Sequence, residues 1–253
     1  MKIRLIRHAT LWVEVAGQGL LVDPMLAAPN VYRSLTVGPS AGRNPQVPLP
    51  CPSETLLHSE AVLVTHTHFD HFDAEAIRQL SKDKLIFCAP ADLGRCRAAG
   101  FSQARAMDET PGVWNGLQIL RVGGRHGHGL MGRWLGPVSG FVVQAAQEPR
   151  LYIAGDTVWC PAVSAALADY RPEVIVLNAG AAQFNVGAAI TMTAPEIVQV
   201  CRAAPQAKVI AVHMEAINHC RLTRRELAAH LSGAGVAAQV VIPADGETVE
   251  CRL

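Results

Sequence analysis

The strongest constraint on the fold is the apolar run AVLVT at 61–65, which is followed at once by HTHFDHFD. A strand this apolar is typically buried on both faces, as in a parallel sheet between two layers of helices. Histidine and aspartate cost free energy when they are buried without partners. In α/β proteins, ligands bind at the carboxyl ends of parallel strands. The segment therefore predicts a buried strand that delivers polar side chains to a binding site.

The remainder of the chain alternates short apolar strands with amphipathic helices. We predict strands at 3–6, 10–16, 19–23, 61–65, 84–88, 117–122, 140–145, 150–154, 173–178, 208–212 and 239–242, and helices at 74–81, 91–99, 161–169, 194–204 and 224–232. Two helices begin with a capping box, Thr193-x-x-Glu196 and Thr223-x-x-Glu226. The pattern predicts one α/β (α+β) domain over 1–253, in which the proline-rich segment 25–59 forms an ordered flap or rim loop.

Composition argues against several functions. The chain has 22 Lys and Arg against 21 Asp and Glu, so charge gives no case for nucleic acid or a membrane as partner. Charged residues make up 17%, below the usual share of about a quarter, which is compatible with a homo-oligomer. The 7 cysteines are scattered, which favours free thiols in a reducing compartment. The sequence contains neither the apolar core of a signal peptide nor an apolar stretch long enough to span a membrane, so we expect a cytoplasmic protein.

The polar cluster has the composition of a metal site. His66 and His68 are two residues apart, so their imidazoles point the same way in an extended chain. Asp70 and His71 follow at a turn, and Asp73 is a candidate N-cap for the next helix. Imidazole and carboxylate are ligands of zinc and similar metals. The alternative, a capped helix with surface histidines, leaves the HxHxDH spacing without a reason.

HxHxDH after an apolar strand closely resembles the signature of the metallo-β-lactamase superfamily. Four further motifs occur in the order typical of that superfamily: LLVDP at 20–24, GGRHGHG at 123–129, IAGDT at 153–157 and VIAVH at 209–213. HATLWVEV and GPVSGFVV are most similar to the branch that includes ascorbate-phosphate lactonases and N-acylphosphatidylethanolamine phospholipases D. The resemblance implies a four-layer αββα sandwich with its site at one edge, between the two sheets.

The resemblance also implies a hydrolase with two divalent metal ions, by default zinc, although manganese or iron would tolerate the same ligands. The implied ligands are His66, His68 and His126 for the first metal, Asp70, His71 and His213 for the second, and Asp156 as the bridge. A metal-bound hydroxide would attack a small ester, lactone or phosphodiester. Asp70 would orient this nucleophile or accept its proton, which makes it the candidate catalytic residue.

Other polar residues are candidates for the surroundings of the metals or for a substrate pocket. They are His8, Asp23, Arg33, Asn44, His128, Asn178 and His219. Asp23 is the first candidate to orient a ligand histidine, and its alternative is a turn residue before Pro24. His126 is preferred to His128 as the third ligand, because His128 lies between two glycines and would be poorly held.

Two other functions remain open. LIRHAT at 5–10 resembles the N-terminal motif of histidine phosphatases, in which His8 would be the nucleophile. Against this, the next residues predict a β-hairpin, and the HxHxDH cluster would have no role. The second alternative is a non-catalytic metal- or ligand-binding module on the same fold. Turnover that is lost with a chelator would distinguish an enzyme from such a module.

Overall fold

The computed structural model describes residues 1–38 and 41–253. In chain order the strands are β1 (Lys2–Arg7), β2 (Thr10–Val15), β3 (Gln18–Val22), β4 (Ala61–Val64), β5 (Leu85–Cys88), β6 (Ala104–Ala106), β7 (Gly112–Trp114), β8 (Leu117–Gly123), β9 (Ser139–Gln144), β10 (Leu151–Ile153), β11 (Val174–Asn178), β12 (Lys208–Val212), β13 (Val240–Val241) and β14 (Thr248–Glu250). The helices are α1 (Ala74–Gln79), α2 (Pro90–Ala98), α3 (Gly129–Leu135), α4 (Pro161–Tyr170), α5 (Ala194–Ala203) and α6 (Arg224–Gly233), with short 3-10 helices at 53–56 and 237–239. None of these helices is long and apolar enough to cross a membrane.

The strands form two seven-stranded sheets. The first has the order β14-β1-β2-β3-β4-β5-β6, and the second has the order β13-β12-β11-β10-β9-β8-β7. Strands β3 to β6 are parallel, as are β10 to β13. The remaining pairings, β14-β1-β2-β3 in the first sheet and β7-β8-β9-β10 in the second, are antiparallel.

The alternation of side chains along the strands produces the four layers. In β4, Leu63 packs into the core between the sheets, whereas Val62 packs outward into the cluster that holds Cys96 of α2. In β11, Val176 faces the core between the sheets and Ile175 faces the cluster of α4, α5 and α6. The order of layers is therefore helices, sheet, sheet, helices, and the predicted αββα fold is confirmed.

Several predicted element starts are confirmed by cap chemistry. Both capping boxes form, at the starts of α5 and α6. Asp73 caps α1, because its Oδ1 accepts a hydrogen bond from the backbone N–H of Ala76 at 2.7 Å. The prediction missed β6, β7, β14 and α3. The three strands are only three residues long, and α3 contains Gly129 and Gly132, so neither periodicity nor propensity marks them.

The segment between β3 and β4 is attached to the body of the protein by a buried arginine. Nη2 of Arg7 donates to the carbonyl oxygens of Met25 and Ala27, at 2.7 and 2.9 Å, and Nη1 donates to that of Val47 at 2.9 Å. Burial lowers the pKa of Arg7 to about 10, opposed by the charge of Asp73, so the guanidinium stays charged at neutral pH.

Candidate metal centre

Seven strands deliver their carboxyl ends to one edge of the sandwich. Because β1 and β3 are both antiparallel to β2, they run in the same direction, and β4 is parallel to β3. In the second sheet β8 runs in the direction of β10 for the same reason, and β11 and β12 are parallel to β10. The residues that follow these strands are His8, Asp23, His66, His126, Asp156 and His213, with Asn178 as the last residue of β11.

One group of donors comprises His66, His68 and His126, whose ligand atoms lie within 4.8 Å of one another. Nε2 of His66 is 2.9 Å from Nδ1 of His68. His66 and His126 are buried and His68 is partly exposed. The structure thus brings together the three residues that the motifs placed in one ligand set.

A second group comprises His8, Asp70, His71 and His213, again within 4.8 Å. Oδ2 of Asp70 lies 3.3 Å from Nε2 of His8, 3.9 Å from Nε2 of His213 and 4.0 Å from Nε2 of His71. The rings of His8 and His213 lie 3.5 Å apart, centroid to centroid. His8 therefore lies within the second donor group and does not merely line a substrate pocket.

Asp156 lies between the two groups and presents one carboxylate oxygen to each. Its Oδ2 is 3.7 Å from Nε2 of His126 and 4.0 Å from Nε2 of His66. Its Oδ1 is 3.2 Å from Nε2 of His213 and 3.3 Å from Nε2 of His71. This is the arrangement that a carboxylate bridging two cations requires.

Hydrogen bonds on the outer side of the rings fix which nitrogen faces the cluster. Nδ1 of His71 lies 2.8 Å from Oδ2 of Asp23, and Nδ1 of His126 lies 3.0 Å from the carbonyl oxygen of Ile190. Both partners only accept, so each Nδ1 carries the proton and each Nε2 turns a lone pair inward.

His66 is fixed in the same way through Thr65. The hydroxyl of Thr65 donates to Asp23 at 2.6 Å, which leaves its oxygen to accept from Nδ1 of His66 at 3.1 Å. When all three rings are neutral, lone pairs of these imidazoles and the oxygens of Asp156 thus converge without a hydrogen between them. Acceptors crowded in this way repel one another unless a cation lies among them, so the donor set fits divalent metal ions.

The electrostatics of the cluster agree with that fit. Burial lowers the pKa values of His66 and His213 well below their usual range, so both stay neutral and can act as ligands. Burial alone also lowers the pKa of His71, but Asp156 and Asp23 outweigh it and raise that pKa well above its ordinary value. Without a cation, His71 therefore binds a second proton on Nε2, next to Oδ1 of Asp156, and a metal ion would take the place of that proton.

Unusual backbone conformations bring the site residues to the edge. His8, Asp23 and His213 have positive φ angles of 58°, 42° and 67°, which cost free energy for residues with a Cβ. Gly180 packs so tightly that a Cβ there would collide with the carbonyl oxygen of His213. Three of the ten described non-glycine residues with positive φ thus lie where the donors converge, and strained residues are common at functional sites.

A cavity of about 250 Å³ opens onto the donors. Its polar floor contains His68, Asp70, His126, Asp156 and His219. Its walls are apolar and consist of Leu35, Phe69, Trp134, Leu135, Phe184 and Ile190. None of the lining residues that the structure describes is Lys or Arg. The cavity therefore suits a small uncharged molecule with an apolar substituent.

Two of the predicted surrounding residues support the donors. Oδ2 of Asp23 is the acceptor for His71, so Asp23 is more than a turn residue. Nδ2 of Asn178 donates to Oδ1 of Asp156 at 2.6 Å and so orients the central carboxylate. His219 lines the cavity.

Three other predicted residues lie elsewhere. Arg33 is exposed and does not line the cavity. Asn44 is buried and closes the loop between β3 and β4: its Nδ2 donates to Oδ1 of Asn218, and its Oδ1 accepts from the backbone N–H of Asn218, each at 2.9 Å. His128 is exposed, with Nε2 3.6 Å from Oε1 of Glu196, so it lies outside the donor groups. None of these three residues belongs to the described lining of the cavity, and their contact with a substrate stays a prediction.

Some functional contacts had little signal in the sequence. The hydroxyl of Thr65 lies within hydrogen-bond distance of Asp23, His66 and His71. A threonine after a strand is common, so the sequence did not indicate this role. The carbonyl of Ile190 orients His126 from a loop 64 residues away. Sγ of Cys220 lies 3.6 Å from Nδ1 of His213. Backbone groups and distant side chains of this kind become visible only in the fold.

Comparison with known proteins gives the class to which this site belongs. The family model of the beta-lactamase superfamily domain matches residues 19–214, and the chain belongs to this superfamily. UPF0173 protein YddR of Bacillus subtilis (strain 168) is 37% identical over 255 residues, which cover 98% of this chain and 99% of the relative.

Two solved structures are similar over nearly the whole chain. Isothiocyanate hydrolase from Delia radicum gut bacteria has a TM-score of 0.95 at 37% identity, covering 100% of both chains. A possible metal-dependent hydrolase from Veillonella parvula DSM 2008 has a TM-score of 0.93 at 33% identity, covering 98% of both.

The histidine-phosphatase alternative does not agree with these findings. Arg7 would have to bind a phosphate, but its guanidinium is held by three backbone carbonyls. His8 is fully buried against Asp70 and His213. The family and the geometry both place the chain outside that class.

Proposed function

We propose that the protein is a hydrolase that uses two divalent metal ions, with zinc as the ion that its histidine-rich donor set favours and manganese or iron as tolerated substitutes. The observation that carries the proposal is the convergence of imidazole lone pairs on the two sides of Asp156. In this assignment His66, His68 and His126 hold the first ion, Asp70, His71 and His213 hold the second, and Asp156 bridges them.

The bound ions would polarise an electrophile and lower the pKa of a water molecule at the floor of the cavity. Asp70 stays ionised, because burial raises its pKa but His71 and His8 lower it further, to well below its usual range. Its carboxylate lines the cavity and can orient the water by accepting a hydrogen bond. Asp23 and Asn178 hold His71 and Asp156 in position.

The volume and the apolar lining of the cavity favour a small, uncharged substrate. A phosphodiester brings negative charge, and the described lining offers no Lys or Arg to meet it. The similar protein of 37% identity is an isothiocyanate hydrolase. We therefore propose an apolar isothiocyanate as the first candidate substrate, which water would convert to an amine and carbonyl sulfide, and neutral esters or lactones as further candidates.

We also propose that residues 1–253 act as one domain, with the segment 25–59 as part of the rim of the site. Leu35 of that segment lines the cavity. The rim would then select substrates by the size of their apolar substituent.

An assay on the purified protein tests the proposal. Benzyl isothiocyanate, p-nitrophenyl acetate, γ-butyrolactone and bis(p-nitrophenyl) phosphate are compared with and without a chelator, followed by readdition of zinc. We expect turnover of an uncharged substrate that disappears with the chelator and returns with zinc. Asp156→Ala should abolish it. Turnover that survives both treatments contradicts the proposal, and metal binding without any turnover supports the non-catalytic module instead.

A further inference from the structure

His219 is a buried histidine for which the proposed metal centre has no use. It lines the cavity together with Asp70 and Asp156, and only 3% of it is exposed. Among the described residues, it belongs neither to the two donor groups nor to the set that Asp156 forms with His66 and His71. Its ring lies 6.5 Å from that of His213, centroid to centroid, so it stands beside the second group and outside it.

The surroundings of the ring decide which nitrogen carries the proton. Nδ1 of His219 is buried and has no hydrogen-bond partner. An N–H buried without an acceptor is costly, so the proton of the neutral ring belongs on Nε2. Nε2 has no partner among the described residues and is not enclosed, and the ring lines the cavity. His219 therefore turns an N–H donor towards the space that a substrate would occupy.

The ring is neutral and held in place. Burial lowers the pKa of His219 to about 4, although Asp70 and Asp156 oppose this, so the imidazole carries no charge at neutral pH. The carbonyl oxygen of His219 accepts a hydrogen bond from the N–H of Gln183 at 2.9 Å. The ring of Phe184 packs against it at 5.9 Å, centroid to centroid. A fixed donor costs little reorganisation during a reaction.

We propose that His219 is a substrate-binding catalytic residue, whose Nε2–H donates a hydrogen bond to the substrate atom that gains negative charge when water adds. This inference rests on the proposed hydrolytic function and names the residue that would recognise the heteroatom of an isothiocyanate or the carbonyl oxygen of an ester. A ring that presents Nε2–H has no lone pair facing the cavity, so His219 acts as a donor and is neither a base nor a metal ligand.

Two substitutions separate this role from a structural one. His219→Phe keeps a flat ring and removes the donor, whereas His219→Gln supplies an amide N–H. His219→Phe should lower kcat about 100-fold and change KM less than about threefold. The kcat of His219→Gln should be at least about tenfold higher than that of His219→Phe. Metal content should stay the same in both variants. Leu35→Ala is the matched control, because Leu35 lines the same cavity and its side chain offers no hydrogen-bond donor, and it should change KM more than kcat.

The proposal is overturned if His219→Phe keeps kcat within about twofold of the wild type, loses metal, or is no worse than His219→Gln. A second measurement does not depend on turnover. In the zinc-loaded protein, ¹⁵N spectra of the imidazoles, assigned with His219→Phe, should report a neutral ring with its proton on Nε2. N-methylbenzamide, an uncharged carbonyl probe, should shift that Nε2 signal.

These two measurements keep the proposals distinguishable. If the wild type hydrolyses no substrate in the panel, the proposed function fails, but the shift of the Nε2 signal by the probe still supports His219 as a donor into the cavity. A proton on Nδ1, or no shift at saturating probe, overturns the assignment of His219 even in an active enzyme.

Discussion

Asp23 is the residue on which the geometry of the donors depends most. Its carboxylate accepts hydrogen bonds from the backbone N–H of Thr65 at 2.7 Å, from the Thr65 hydroxyl at 2.6 Å and from Nδ1 of His71 at 2.8 Å. Through Thr65 it also fixes His66, which belongs to the other donor group. A single buried carboxylate thus sets the orientation of one proposed ligand of each metal.

We predict that Asp23→Asn weakens metal binding about 10- to 100-fold, the usual effect of losing a carboxylate that orients a ligand histidine. The amide has the same size, but it loses the charge that favours the proton on Nδ1 of His71. Competition with a chromophoric chelator measures the affinity. Asp83→Asn, on the surface, serves as control and should bind as the wild type does. Unchanged affinity in Asp23→Asn would show that the hydrogen bonds of Asp23 do not set the affinity for metal.

His126 and His128 give a second prediction at this scale. His126 is buried, with Nδ1 bonded to Ile190 and Nε2 near Asp156, whereas His128 is exposed. His126→Ala should lower metal affinity by about tenfold or more, since a ligand counts for at least as much as its supporting groups. His128→Ala should retain the metal, and its metal titration is the matched control. The reverse order would move the ligand assignment by two residues.

At the scale of elements, the loop between β3 and β4 depends on one side chain. Arg7 ends β1, is fully buried, and donates to three carbonyls of that loop. The loop also carries Leu35 to the cavity. The hydrogen bonds of Arg7 therefore connect the end of a strand in the core to the rim of the site.

We predict that Arg7→Met lowers the free energy of unfolding by about 3 kcal/mol, because it leaves two buried carbonyls and one partly buried carbonyl without their donor. Urea denaturation measures the change. Arg43 is a suitable control, since it bonds carbonyls of the same loop but is exposed. Arg43→Met should cost about 0.5 kcal/mol or less. Equal losses in the two variants would contradict the anchoring role of Arg7.

The sequence predicted the elements whose signals are local. The starts of α5 and α6 follow from capping boxes, and β4 follows from its apolar run. In contrast, β14 pairs with β1 at the opposite end of the chain, and three residues carry too little pattern to predict such a partner. The sequence also named the donors around HxHxDH. It could not distinguish Arg33 and Asn44, which lie outside the described lining of the cavity, from residues that line it, because the direction of loop side chains is set by tertiary contacts.

At the scale of the whole molecule, the site joins the two sheets. The first sheet delivers His8, Asp23 and the residues 66–71, and the second delivers His126, Asp156, Asn178 and His213. Each donor group takes residues from both sheets. Metal ions at this edge would therefore hold the two halves of the sandwich together.

This arrangement predicts that metal ions stabilise the fold. A ligand that binds only the folded state at about 1,000 times its dissociation constant adds about 4 kcal/mol. Removal of the metal from the wild type should lower the midpoint of thermal unfolding, and zinc should restore it. Asp156→Ala is the control, and its midpoint should respond far less to either treatment. An identical midpoint with and without metal would mean that the two sheets do not share an ion.

The number of metal ions per chain tests the central claim most directly. Elemental analysis of protein purified without chelator is combined with the turnover of the same sample. We predict about two divalent ions per chain in active protein, and a marked loss of both metal and activity in Asp156→Ala. A fully active protein with one ion or none would contradict the two-metal centre.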